Sequence, residues 1–391
     1  MNAGPADSPA VNSGRHQAAS LGANAARHPA DSPVGFGSSD VPLAARHDVA
    51  LLDLDGVVYV GPHAVPGAAE SLDAALDLHG MRAAFVTNNA SRPPEVVAAH
   101  LTRLGLHATP SDVVISAQAG ARVLAERLEP GSRVLAVGGP GVAWALKERG
   151  LEPVTSMEED PVAVLQGFGP DVGWRQLAEA SLALERGAFW VATNMDRTIP
   201  TPQGRVLGNG ALVTALAHAT GAVPVVAGKP EPPLMLESVE RSHAVTPLVV
   251  GDRLDTDIEG ANRSGLPSLL VLTGVTDWFD LLDIPDHLRP TYLGRDLTAL
   301  LEPAPPVTVE QSDGQLAGRC REAQVVLPVV ESTAESPADP DSRAWLPPSI
   351  PVERGAAAVD LDQVRAMVAI SWVLRDRGLR PAGMGSAVLA S

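Results

Sequence analysis

Lysine is nearly absent from this chain: of its 29 basic residues only Lys147 and Lys229 are lysines, and the rest are arginines. Cysteine occurs once, at Cys320, so no internal disulfide can form, and a reducing, cytoplasmic setting is expected. Cys320 itself reads as a small buried apolar residue. Aromatic residues make up 3%, so the cores must be built from Ala, Val and Leu. No apolar run approaches the roughly 18 residues of a membrane span. The N-terminus lacks the charged start and apolar middle of a signal peptide, and no membrane partner is expected. Positive charge is also in short supply. Acidic residues number 46 and the net charge is −17, which argues against a basic nucleic-acid-binding face. An anionic ligand must then be held by a metal ion and a few local donors, not by the overall field.

The chain has 391 residues, 45% of them apolar, enough for two or three domains. Residues 1–46 are rich in Ala, Ser, Pro, Gly and Asn, and Pro5-Ala6-Asp7-Ser8-Pro9 recurs as Pro29-Ala30-Asp31-Ser32-Pro33. This composition predicts a disordered tail. From residue 48 short apolar runs alternate with amphipathic stretches. Strands are expected at 49–54, 83–87 and 113–116, and helices at 68–78, 94–104 and 120–128. The alternation predicts an α/β fold with a doubly wound parallel sheet. A second βα series begins at 133 and runs through 162–166, 177–185, 189–193 and 211–220, followed by buried strands at 223–227, 248–250 and 269–272. Residues 303–353 are Pro- and Ser-rich with little period, and 361–377 read as an amphipathic closing helix.

Four strand ends carry reactive groups. The first is Leu51-Leu52-Asp53-Leu54-Asp55-Gly56. Residues two apart on a strand point the same way, so Asp53 and Asp55 face one point past its carboxyl end, where open parallel sheets bind ligands. A divalent cation would relieve their repulsion; a solvated strand end is the plain alternative. The second is Phe85-Val86-Thr87-Asn88-Asn89-Ala90-Ser91-Arg92, whose amides and hydroxyls could hold an oxyanion. Ser91 could equally cap the next helix. The third is Gly228-Lys229-Pro230. Arginine cannot replace a compact ammonium, so a lysine kept in an arginine-rich chain points to chemistry, against the alternative of a solvated turn. Lys147, in a charged helical stretch, reads as solvated. The fourth runs from Leu248 to Asp257 and gathers Asp252, Asp255 and Asp257 after an apolar strand, as a cation site or an acidic helix cap.

In this order, Asp-x-Asp-Gly, Thr-Asn-Asn, Gly-Lys-Pro and Gly-Asp-x-x-x-x-Asp, the chain resembles the haloacid dehalogenase (HAD) superfamily over residues 48–300. The long stretch between Thr87 and Lys229 can house an inserted α/β cap. That placement, with Ala192-Thr193-Asn194-Met195-Asp196 and Leu272-Thr273-Gly274-Val275, looks like the NagD and p-nitrophenylphosphatase branch. The implied layout is a catalytic core at 47–128 and 224–300, a cap at 129–223, and a C-terminal extension at 301–391 made of a Pro-rich linker and a helix.

The resemblance implies a magnesium-dependent phosphatase. Asp53 matches the nucleophile that forms an aspartyl-phosphate. Asp55 matches the acid/base residue, which members that cleave carbon–halogen bonds lack. Magnesium would be held by the Asp53 carboxylate, the Asp55 carbonyl and Asp252, with Asp257 orienting waters and Lys229. Thr87, Asn88, Asn89 and Lys229 would hold phosphoryl oxygens. In the cap, Asn194, Asp196 and Arg197 would contact the rest of the substrate, or else form a plain strand–helix turn. A similar extension occurs on bacterial glycerol-3-phosphate phosphatases of this branch, which makes glycerol 3-phosphate the leading substrate. Phosphoglycolate, other sugar phosphates and nucleoside monophosphates are the alternatives. The extension or the cap could also support a homodimer.

Other readings fit less well. Gly139 and Gly141 follow a strand as in a dinucleotide-binding turn, but Trp144 holds the third glycine position and no acid ends a strand about 20 residues on. No Gly-x-Ser-x-Gly and no paired histidines occur. A non-catalytic sugar-phosphate-binding protein would need the phosphate donors but not both aspartates.

Overall fold

Four consecutive apolar residues, Val49–Leu52, form a strand buried at every position, as expected of a parallel strand covered on both faces. In the computed structural model, which describes residues 35–201, 203–282, 284–331 and 360–381, this strand is central in a six-stranded sheet. Arg82–Thr87 and then Val113–Ile115 lie to one side of it; Pro247–Gly251, Ser268–Val271 and Tyr292–Gly294 lie to the other. All pairings are parallel. The chain leaves the central strand on one side and returns on the other, so a switch point falls at its carboxyl end, where doubly wound sheets bind ligands.

Between Ile115 and Pro247 the chain builds a second parallel sheet, in the order Val225–Val226, Phe189–Ala192, Ala163–Gln166, Arg133–Val137, Glu152–Val154. A small antiparallel hairpin, Thr198–Thr201 with Gly204–Leu207, projects from it. Among the contacts that tie this unit to the first sheet, two stand away from the strand Val49–Leu52. One is a buried carboxylate clamp. Glu237, fully buried on the helix Pro232–Ser242, accepts from Arg149, Arg241 and Arg122. Arg241 also grips Glu148 with two hydrogen bonds of 2.9 and 2.7 Å. Such a carboxylate is tolerated in the interior only because its charge is matched. The other contact is the turn Gly138-Gly139-Pro140-Gly141. A Cβ on Gly139 would lie 2.6 Å from the Ser91 carbonyl oxygen, and one on Gly141 2.4 Å from that of Ala90. The N–H of Gly141 donates to Ser91 O at 3.1 Å. These glycines therefore serve the approach of two backbones, which accounts for the incomplete dinucleotide motif.

The chain ends differ from expectation. Residues 1–34 of the expected tail and 332–353 of the expected linker lie outside the described residues, but 35–46 are packed. Phe36 and Leu43 are buried, Gly37 N–H donates to Thr291 O, and Leu43–Arg46 form a helical turn. Their polar, proline-containing surroundings hid two apolar anchors. Residues 303–331 are not a linker. Val307–Ser312, Gln315–Cys320 and Ala323–Glu331 form antiparallel strands, joined by Leu379–Pro381. The helix Leu361–Arg377 is not amphipathic in its setting, since Val364–Leu374 are buried all round. It is covered on one side by this sheet and on the other by the core, where Trp372 Nε1 donates to Leu281 O at 2.8 Å and Arg365 donates to Leu293 O at 2.6 Å. Cys320 is buried, as expected. Among the described residues no helix is long and apolar enough to cross a membrane.

His47, at the junction of residues 35–46 with the core, is 4% exposed, and burial pushes its pKa from 6.5 down to about 4. The folded state thus binds fewer protons than the unfolded chain between those values. Its contribution to stability is full above pH 6.5 and is lost as pH falls to about 4, by up to about 3 kcal/mol. Urea unfolding of His47→Gln across pH 4–8 should show that much less acid sensitivity than the wild type; identical profiles would show that His47 does not carry it.

Candidate active site

Lys229 is 4% exposed and lies just past the strand Val225–Val226. Its ammonium donates to Asp53 Oδ1, to Asp257 Oδ1 at 2.7 Å and to the Val86 carbonyl at 3.3 Å. Burial opposes the charge on Lys229, but Asp257 and Asp53 outweigh it and hold the pKa above its ordinary value. Asp53 directly follows the central strand, and its N–H donates to Val250 O at 2.9 Å. Asp257 is spent on the protein: besides Lys229, its Oδ2 takes the N–H of Arg253 at 3.2 Å.

Asp252 completes the group. Among the described residues, Asp53, Asp252 and Asp257 form one set of acids whose ligand atoms lie within 4.8 Å of one another. Asp252 is fully buried. Its Oδ2 accepts from Val275 N–H at 2.7 Å, while its Oδ1 has no hydrogen-bond partner. Burial, then the charge of Asp257, pushes its pKa up to about 7. Glycines on two loops make its seat: a Cβ on Gly56 would lie 2.3 Å, and one on Gly274 2.0 Å, from Asp252 Oδ2. Thr273 joins those loops by donating to Gly56 O at 2.5 Å. A buried carboxylate oxygen left unpaired beside two further carboxylates fits a divalent cation. Asp53 and Asp252 would hold magnesium here.

Of the remaining expected site residues, Thr87 is nearly buried at its strand end, and its Oγ1 accepts from Asn89 N–H at 3.1 Å. Asn89 Oδ1 is taken within the loop by the N–H and hydroxyl of Ser91, both at 2.8 Å. Ser91 therefore does not cap the helix Pro94–Arg103, whose N-cap is Pro93. Asn88 is used by its neighbours, Lys229 and the cap. Asp55 stands exposed on the turn after Asp53 and bridges to Tyr59. Asn194 and Asp196 reach the core, and burial holds the Asp196 carboxyl above its usual range. Arg197 is exposed, and its carbonyl takes Gly208 N–H. Lys147 is exposed, as expected.

Sequence reasoning placed Gly274 and Val275 in a family motif without giving them a role at Asp252, and it missed Tyr59. Tyr59 bridges to Asp55, and burial, then the charges of Asp55 and Asp53, pushes its phenol up to about 12. Its rarity was a usable signal, since the chain has two tyrosines.

Residues 50–152 match the family model of haloacid dehalogenase-like hydrolases, and 226–300 match a HAD-hydrolase-like model. The chain is 52% identical over 258 residues to D-glycerol 3-phosphate phosphatase of Mycobacterium tuberculosis, covering 66% of this chain and 72% of that protein. It is 36% identical over 257 residues to acid sugar phosphatase of Staphylococcus aureus, covering 64% and 96%. The crystal structure of glycerol phosphate phosphatase from M. tuberculosis in complex with magnesium superimposes with a TM-score of 0.70 at 42% identity, covering 85% of this chain and 92% of that one. The chain belongs to the haloacid dehalogenase-like hydrolases. It is a hydrolase of phosphoric monoesters; the relatives it matches are named for glycerol phosphate and sugar phosphate substrates, and one is solved in complex with magnesium.

The seat of Asp252 has no room for a methyl group at position 274. Gly274→Ala should weaken magnesium binding, measured by isothermal titration, at least about tenfold, because one displaced ligand costs more than 1.4 kcal/mol. Its far-UV spectrum should stay unchanged. Wild-type affinity in this variant would remove Gly274 from the metal site.

Proposed function

We propose that this phosphatase hydrolyses glycerol 3-phosphate through a phosphoryl intermediate on Asp53. The observation that carries the mechanism is the Lys229 ammonium held against Asp53 beside the unpartnered oxygen of Asp252. The substrate rests on the 52% identity to a D-glycerol 3-phosphate phosphatase. Phosphoglycolate, sugar phosphates and nucleoside monophosphates are its competitors.

In the first step an Asp53 carboxylate oxygen bonds to phosphorus, the bond from phosphorus to the ester oxygen breaks, and Asp55 gives its proton to the departing alkoxide. In the second, water attacks phosphorus as Asp55 takes back a proton, and the Asp53–phosphorus bond breaks. Lys229, exchanging its hydrogen bond to Asp53 for one to the phosphate once Asp53 is the attacking group, and the Thr87 hydroxyl hold the phosphoryl oxygens. Bound magnesium offsets the negative charge where phosphate meets carboxylate. Asp257 keeps Lys229 in place. Asn194, Asp196 and the exposed Arg197 line the cap side, where the glycerol hydroxyls would be read. The same reading places the enzyme in the cytoplasm, consistent with its lone cysteine. It also allows a homodimer through the cap or the C-terminal unit; the exposed Val206 and Leu207 of the cap hairpin offer apolar surface.

Asp53→Asn should lower turnover of p-nitrophenyl phosphate at least about 1,000-fold in a folded protein; near-normal turnover would discard the mechanism. EDTA should abolish activity and added magnesium restore it, and full activity in EDTA would exclude the metal. Across a panel of phosphomonoesters, glycerol 3-phosphate should give the highest kcat/KM. A lead of orders of magnitude for 2-phosphoglycolate would overturn the substrate.

A further inference from the structure

Both side-chain donor hydrogens of Asn88 are already committed. Its Nδ2 donates to the Lys229 carbonyl at 3.1 Å and to Asp196 Oδ1 at 3.2 Å. Its Oδ1 accepts from the N–H of Lys229 at 2.8 Å. A phosphate dianion only accepts hydrogen bonds, and a primary amide has two donor hydrogens. The Asn88 side chain therefore has none left for phosphate, contrary to the expectation that it binds phosphoryl oxygens.

These bonds instead join three parts of the molecule. Asn88 follows the core strand Arg82–Thr87, and Asp196 follows the cap strand Phe189–Ala192. Lys229 stands three residues past Val226, the end of the cap's edge strand. The Asn88 carbonyl adds a fourth tie, accepting from Asn194 Nδ2 at 2.7 Å and Ser116 Oγ at 2.6 Å. Packing is tight here: a Cβ on Gly228 would lie 2.4 Å from Thr193 O and 2.6 Å from Asn88 Oδ1.

We propose that Asn88 is a positioning residue that locks the docked cap to the backbone of Lys229, so that cap closure and placement of the lysine are one event. The proposal rests on the role given above to Lys229. The lysine's Nζ is fixed separately by Asp257 and Val86, so loss of Asn88 frees the cap and the lysine backbone without discharging the ammonium. Asp196, whose carboxylate sits in a largely buried position, loses its donor at the same time.

The test uses the magnesium-loaded enzyme and p-nitrophenyl phosphate. Asn88→Ala should lower kcat/KM about tenfold to a hundredfold, the scale of two or three buried hydrogen bonds. Asp196→Asn keeps an oxygen that can accept from Asn88, so it should retain at least about tenfold more kcat/KM than Asp196→Ala. In the Asn88→Ala background that advantage should disappear. If it persists, Asp196 does not act through Asn88 and the proposal fails. Hydrogen exchange gives a readout independent of turnover. Peptides covering 193–197 and 226–231 should exchange faster in Asn88→Ala, while the cap strand Arg133–Val137 stays unchanged. Unchanged exchange in both peptides would also overturn the lock. Retained turnover in Lys229→Ala would retire the phosphate role of the lysine, and the exchange result would still decide the lock.

Discussion

One ammonium holds this site together. Lys229 is buried between Asp53 and Asp257, with Asp252 within the same few ångströms. Removing one partner of a buried pair costs about 3–5 kcal/mol, a large part of the roughly 5–15 kcal/mol by which a domain is stable. A planar guanidinium could not take the same three acceptors in so small a space, which explains why lysine survives here in a chain that otherwise uses arginine. One cation among three carboxylates still leaves excess negative charge. Burial, then the charge of Asp257, pushes the Asp252 carboxyl up, and its Oδ1 has no partner; a divalent ion held there would offset the excess.

The same lysine links the core to the cap. The edge strand of the cap sheet, Val225–Val226, runs within three residues into Lys229, and the loop after Thr87 bonds to both. At the far side, Glu237 and its arginines fix the helix pair on which the cap is mounted. Besides the glycine turn, the cap is thus held at two further places with different chemistry. One is a charge cluster remote from the reacting groups, and the other is a neutral amide next to them.

Much of this was legible in the sequence, for a physical reason. Parallel strands buried on both faces are written as unbroken apolar runs, and reactive groups collect where those runs stop. Asp53, Thr87, Lys229 and Asp252 were all picked out in that way, and the structure brings Asp53, Lys229 and Asp252 together. What stayed hidden depends on direction or on distant partners. The loop sequence Thr87-Asn88-Asn89 offers amides to an oxyanion, but not which way each amide faces; Asn88 turned to Lys229 and Asp196, and Asn89 to Ser91. Glu237 reads as one more helix charge, paired at most with Arg241 on its own helix, until Arg122 and Arg149 from elsewhere in the chain meet it. The strand Gln315–Cys320 alternates exposed and buried positions, yet its neighbouring prolines and serines suggested a linker. The helix Leu361–Arg377 has a polar side by sequence and none in place, because it is covered on both faces.

The central claim is that Asp53 carries the phosphoryl group. Acid quenching during turnover, followed by borohydride reduction, converts an acyl phosphate to an alcohol at the residue that bears it. Peptide mass spectrometry should find this reduction at residue 53 in the presence of substrate and magnesium, and not in their absence. Reduction at another carboxylate, or none at all during active turnover, would contradict the account.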